Sequence, residues 1–101
     1  MRNSESIIQK SILEYLRLRG IYAWKANTTG IYQQKTGRYI PVTKGIADIL
    51  GIMPDGRFLA IEVKTNKGRP TIYQEAFLAE IEQRGGLAIV ARSIEDVMKF
   101  L

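Results

Sequence analysis

The 101 residues are 46% apolar and 25% charged, the composition of one ordinary globular domain, expected here as a single stand-alone unit over residues 1–101. The chain has no cysteine and no histidine, which excludes disulfides, thiolate zinc sites, imidazole metal sites and histidine-dependent triads, so any hydrolysis must rest on carboxylates, lysine and a metal ion. A net charge of +5 suits an anionic partner, whereas no apolar run nears a membrane span and Met1-Arg2-Asn3-Ser4-Glu5 lacks a signal-peptide layout, so a cytoplasmic protein with no membrane partner is expected.

In chain order, Ser4 caps a first helix predicted to run to about Arg19, with Ile8, Ile12, Tyr15 and Leu16 on one stripe and Gly20 as its stop. Ile21 to Lys25 reads as a strand. Asn27 to Gly37 is polar and glycine-punctuated, a loop or loose hairpin tip, with Arg38 to Val42 a short strand after it. Asn27, Thr28, Thr29 and Gly30 are turn residues that need no ligand to explain them. A central hairpin is predicted over residues 47–53 and 57–65, followed by a basic loop, Asn66 to Pro70. Thr71 opens a helix to about Arg84, with Tyr73, Ala76, Phe77, Glu80 and Ile81 near one face. Gly85-Gly86 ends it, Leu87 to Ala91 is a continuous apolar strand, and Ser93 caps a last helix from Ile94 to Phe100. The strand–helix–strand unit implies parallel pairing of its two strands.

The chemistry concentrates in the hairpin. Pro54-Asp55-Gly56 between two apolar runs suits a type I turn closed by a left-handed glycine, a three-residue loop that sets Met53 opposite Arg57. Counting back residue by residue sets Asp48 opposite Glu62, and Lys64 shares their face by period-two alternation while Leu59, Ile61 and Val63 point into a core. Two facing carboxylates repel unless a cation lies between them, and a hard divalent ion is commonly held by such a pair. Lys64 beside it would orient a water or neutralise charge on a phosphate. The same three residues would also suit a charged strand face with ordinary surface pairs.

Other residues extend the set. Glu5 is in register with the buried stripe of the first helix, either complementing the helix dipole or supplying a third carboxylate. Gln74 completes a capping box with Thr71, yet lies just beyond the Glu62-Val63-Lys64 strand, within reach of a water or a phosphate oxygen. Charge is uneven: between Glu14 and Asp48 there is no acid, while Arg17, Arg19, Lys25, Lys35, Arg38 and Lys44 are interleaved with Tyr22, Trp24, Tyr32 and Tyr39. With Lys67 and Arg69 of the second loop, Lys25, Lys35, Arg38 and Lys44 are the candidate phosphate contacts, and the aromatics are either base-stacking or core residues.

Taken together, Glu5, Gly45-Ile46-Ala47-Asp48, Phe58 to Lys64, Gln74-Glu75-Ala76-Phe77-Leu78 and the Gly85 to Ser93 tail resemble the VRR-NUC (virus-type replication-repair nuclease) family of the PD-(D/E)XK superfamily, over nearly the whole chain. Some members carry a proline shortly before the aspartate, where this chain has Gly45-Ile46-Ala47. The resemblance implies a restriction-endonuclease-like α/β fold, a central mixed β-sheet flanked by helices. It also implies hydrolysis of DNA phosphodiesters with Mg²⁺ or Mn²⁺. Asp48 and Glu62 would hold the metal with the Val63 carbonyl, Lys64 would position water, Glu5 would join the inner or outer metal shell, and Gln74 would support the water or phosphate. Compact members resemble Holliday junction resolvases, so branched DNA, a homodimer and a phage or prophage origin are expected. Helical faces bearing Tyr15, Leu18, Phe77 or Leu78 are the interface candidates. A DNA-binding module that keeps the fold without turnover is the principal alternative, and a structural protein the other.

Overall fold

The computed structural model describes residues 4–26, 31–33, 37–40 and 44–101, so Lys35 and the segment Asn27, Thr28, Thr29 and Gly30 lie outside the described residues. Helix α1 (Ser4–Leu18) leads to β1 (Tyr22–Lys25), β2 (Ile31–Gln33), β3 (Arg38–Ile40), β4 (Ile49–Ile52) and β5 (Phe58–Val63). Helix α2 (Ile72–Gln83), β6 (Leu87–Ala91) and α3 (Ile94–Met98) follow. One strand is added to the sequence expectation. Ile31–Gln33 is not loop but pairs antiparallel with β3 in a two-stranded ribbon, Ile31 opposite Ile40. Three residues are too short a run for period-two alternation to register.

The main sheet has the order β1-β4-β5-β6, antiparallel across its first three strands and parallel between β5 and β6. It is the mixed sheet expected. Apolar residues at both faces of β5 explain its central place: Leu59, Ala60, Ile61 and Val63 are all fully buried. On one face Ile12 and Leu16 of α1 and Val97 of α3 pack with Ile49, Leu59, Ile61, Val63 and Ile89. The opposite face carries a smaller cluster, Ala47, Ala60 and Leu78, joined by Leu50, Phe77, Ile81 and Ala88 under α2.

Two expectations about helical faces change. The inward side of α2 is formed by Gln74, Phe77, Leu78 and Ile81, while Tyr73, Ala76 and Glu80 are exposed. Its sequence is apolar nearly all round, so periodicity does not select the face; the small Ala60 and Ala88 beneath it admit Leu78. Leu78 is therefore core rather than a free interface, and of the four interface candidates Leu18 is the exposed one. Unlike core aromatics, Tyr22 and Trp24 are exposed on the β1 edge, their rings 5.4 Å apart.

Candidate active site

The turn at the end of the hairpin has the conformation its residues demand. Gly56 has φ +93°, its N–H donates to the Met53 carbonyl at 2.8 Å, and Met53 N–H donates to Arg57 O at 2.8 Å. Asp55 closes the loop by accepting from Arg57 N–H at 3.1 Å and from its Nε at 2.9 Å, contacts that hold its carboxyl below the usual range. The register that follows, Ile52 opposite Phe58 and Ile49 opposite Ile61, sets Asp48 against Glu62 one step beyond the ladder.

Asp48 is held on both sides. Its backbone carbonyl accepts from Ala26 N–H at 2.8 Å, and its Oδ2 accepts from Val63 N–H at 2.8 Å. The side chain thus continues the ladder where the strand itself ends. Glu62 lies across from it with 1% of its surface exposed. Lys64 Nζ sits 3.3 Å from Glu62 Oε2, whereas Glu62 Oε1 is buried with no hydrogen-bond partner. Burial, then the neighbouring Asp48 carboxylate, pushes the Glu62 carboxyl up to about 7 against the opposing pull of Lys64. A buried carboxylate with an orphaned oxygen beside a second carboxylate is poorly compensated by protein alone. Hard oxygen donors in that arrangement fit a divalent cation.

The local sequence folds this way because of two close approaches. Gly45 has φ +79°, and a Cβ there would lie 2.3 Å from the Tyr73 carbonyl oxygen and 2.8 Å from Gln74 N. Glycine thereby lets the loop before Asp48 pack directly on the first turn of α2. Thr71 and Gln74 form the expected capping box, Thr71 Oγ1 accepting from Gln74 N–H at 3.1 Å and Gln74 Oε1 from Thr71 N–H at 2.8 Å. The cap commits the oxygen of Gln74 and leaves its amide nitrogen as the group to turn toward a ligand.

Asp48, Glu62 and Lys64 are brought together as expected. Among the described residues no three carboxylates converge on one ion position, so Glu5, half-buried in the first turn of α1 with contacts of its own, is not in a common cluster with Asp48 and Glu62. One turn on, Gln9 is buried with Oε1 unpartnered, on the same stripe as Glu5, Ile12 and Leu16. A polar residue in register with buried isoleucine and leucine was its only sequence signal. Lys25, Lys44, Lys67 and Arg69 are exposed, and Lys44 Nζ stands 4.5 Å from the Tyr73 ring centroid, above the first turn of α2. Arg38 lies at the start of β3, opposite Gln33 of β2.

With this geometry in place, comparisons with known proteins give a single direction. The family model of the VRR-NUC domain matches residues 4–95. A solved structure described as a VRR_NUC domain is similar at 25% identity and a TM-score of 0.70, covering 97% of this chain and 94% of that one. No curated protein matches.

Proposed function

Because this chain belongs to the VRR-NUC domain family and its nuclease domain is of the PD-(D/E)XK type, we propose that it is a divalent-metal-dependent DNA endonuclease selective for branched DNA. The carrying observation is the pairing of buried Glu62 with half-buried Asp48, with Glu62 Oε1 lacking a partner and Lys64 3.3 Å from Oε2. The fold and donor set fit Mg²⁺ or Mn²⁺, which Asp48, Glu62 and the Val63 carbonyl would hold, with Glu5 contributing through water. Such an ion supplies Lewis acidity toward the scissile phosphate and its attacking water.

The remaining work falls to this chain's own groups. Val63 N–H fixes one oxygen of Asp48, leaving Oδ1 to face the ion. Lys64, restrained by Glu62 at one end and largely buried along its stem, offers a cation that orients the attacking water or offsets charge on the phosphate. Gln74 presents its amide nitrogen from a helix terminus whose conformation is already fixed by the cap. Lys25, Lys44, Lys67 and Arg69, with Arg38 and Lys35, supply phosphate contacts. Symmetric cutting of a junction calls for two such sites, hence a homodimer, acting in the cytoplasm of a bacterial host if the chain is of phage or prophage origin.

The test is cleavage of labelled four-way junction, flap, single-stranded and linear duplex DNA with Mg²⁺, Mn²⁺ or EDTA, using the native chain, Asp48→Ala and Lys64→Ala. Paired cuts on the junction that need metal and vanish in both variants are expected, from a species sedimenting as a dimer. Cuts confined to flaps or ends would remove the junction preference and keep the nuclease. Binding to every substrate without cutting under either metal would replace the enzyme with a DNA-binding module.

A further inference from the structure

Arg92 lies between β6 and α3, in the short segment that the parallel β5–β6 pairing sets alongside the end of β5. Its backbone N–H donates to Asp96 Oδ2 at 2.9 Å, which ties it to the first turn of α3. The half-buried guanidinium reaches across to the loop after β5, where Nη1 donates to the Thr65 carbonyl and, at 2.6 Å, to the Gly68 carbonyl. Those two carbonyls belong to one turn, closed by Gly68 N–H on Thr65 O at 3.1 Å. A cation satisfying two backbone acceptors of a single turn fixes its shape more firmly than the turn's own hydrogen bond.

The turn in question folds back over Lys64. A Cβ at Gly68 would lie 3.5 Å from Lys64 Cδ and 3.7 Å from its Cβ, so the Gly68 backbone flanks the aliphatic stem of that lysine. Lys64 is also held from the β6 side, its N–H donating to the Ala91 carbonyl at 3.0 Å, one residue before Arg92. The main chain of Lys64 is thereby held to β6 while the turn covers its stem, with 15% of its side chain exposed and Nζ directed to Glu62. Lysine has four rotatable bonds, and without such confinement its ammonium would sample many positions.

From this geometry we infer that Arg92 is a positioning residue for Lys64, acting through the Thr65–Gly68 turn. Its catalytic consequence rests on the nuclease reading above; its structural consequence does not. The inference assigns Arg92 a role distinct from those of Lys67 and Arg69, whose side chains are exposed on the same loop. They are free to meet phosphate, whereas the guanidinium of Arg92 is spent on backbone carbonyls.

Two readouts test this on the full chain, in Arg92→Gln and Arg92→Lys. The first is the rate at which an amine-acylating reagent modifies Lys64 in metal-free, DNA-free protein, read by peptide mass spectrometry against exposed Lys10. The second is steady-state cleavage. Arg92→Gln is expected to raise Lys64 labelling severalfold with Lys10 unchanged, and to lower kcat by about tenfold or more while KM stays within about twofold. Arg92→Lys, which keeps a cationic nitrogen able to donate to both carbonyls but not the fixed guanidinium plane, is expected to recover part of both. Unchanged Lys64 labelling in folded Arg92→Gln would overturn the inference. A rise in KM at constant kcat would also overturn it, making Arg92 a DNA contact. Should the native chain cut no DNA at all, the proposed activity fails, and the labelling experiment still decides whether Arg92 confines Lys64.

Discussion

Glu62 carries an energetic burden that Lys64 relieves only in part. Its carboxyl is pushed up to about 7, from an ordinary value near 4.5, by burial and by Asp48. A carboxyl that binds its proton more tightly folded than unfolded contributes stability fully present below the unfolded value and lost as pH rises through the folded one. Metal-free protein is therefore expected to lose stability between about pH 4.5 and 7, by up to roughly 3 kcal/mol from this group. Glu62→Gln, which cannot ionise, should unfold at higher urea than the native chain at about pH 8 and lose that advantage near about pH 4.5. An advantage of equal size at both pH values would show that the cost is not one of ionisation. Adding Mg²⁺ or Mn²⁺ at the higher pH should stabilise the native chain by binding the folded state only, with Glu62→Gln responding weakly.

At the scale of elements, the site depends on how α2 is seated, and two glycines separate local strain from docking. Gly45 and Gly56 both have positive φ, +79° and +93°. A Cβ at Gly56 meets nothing within 4 Å, whereas one at Gly45 would strike the backbone of Tyr73 and Gln74. Gly56→Ala is thus expected to cost about 1 kcal/mol, the conformational term alone. Gly45→Ala should cost at least about 2 kcal/mol and reduce cleavage beyond that, because α2 must move relative to Asp48. Urea unfolding of both variants, with cleavage measured where each remains folded, checks this; equal costs would mean that α2 is not seated by Gly45. The contrast also marks what sequence can disclose. Pro54-Asp55-Gly56 is local chemistry, so the turn, its register and the Asp48–Glu62–Lys64 convergence could be read directly. The contact of Gly45 with Tyr73 joins residues remote in sequence, and no spacing rule reports it. The same holds for the Val63 N–H that pins Asp48, for the rotation of α2, and for the burial of Gln9, where a glutamine in a helix otherwise reads as surface. Ile31–Gln33 stayed hidden for the opposite reason: it is too short to show a period.

Across the whole molecule, a net charge of +5 accompanies a largely buried pair of facing carboxylates, Asp48 and Glu62. These fields act oppositely on DNA. Exposed Lys25, Lys44, Lys67 and Arg69 attract phosphate at long range, and each phosphate neutralised releases counterions, so affinity should fall steeply with salt. On the proposed reading, the Asp48–Glu62 pair would repel the scissile phosphate unless a divalent ion lay between them. Binding of the native chain without metal is therefore expected to be salt-dependent but register-poor, with the scissile phosphate held away. Asp48→Asn combined with Glu62→Gln should bind junction DNA more tightly than the native chain in EDTA, while cutting nothing in Mg²⁺. Lys67→Ala with Arg69→Ala should instead weaken binding in both conditions and lower the slope of log K against log salt by about two. Fluorescence anisotropy across a salt series measures all three proteins on one substrate. If the carboxylate variant bound no better than the native chain in EDTA, the acidic pair would not face the phosphate path, and the division between an attracting surface and a metal-dependent acidic pair would fail.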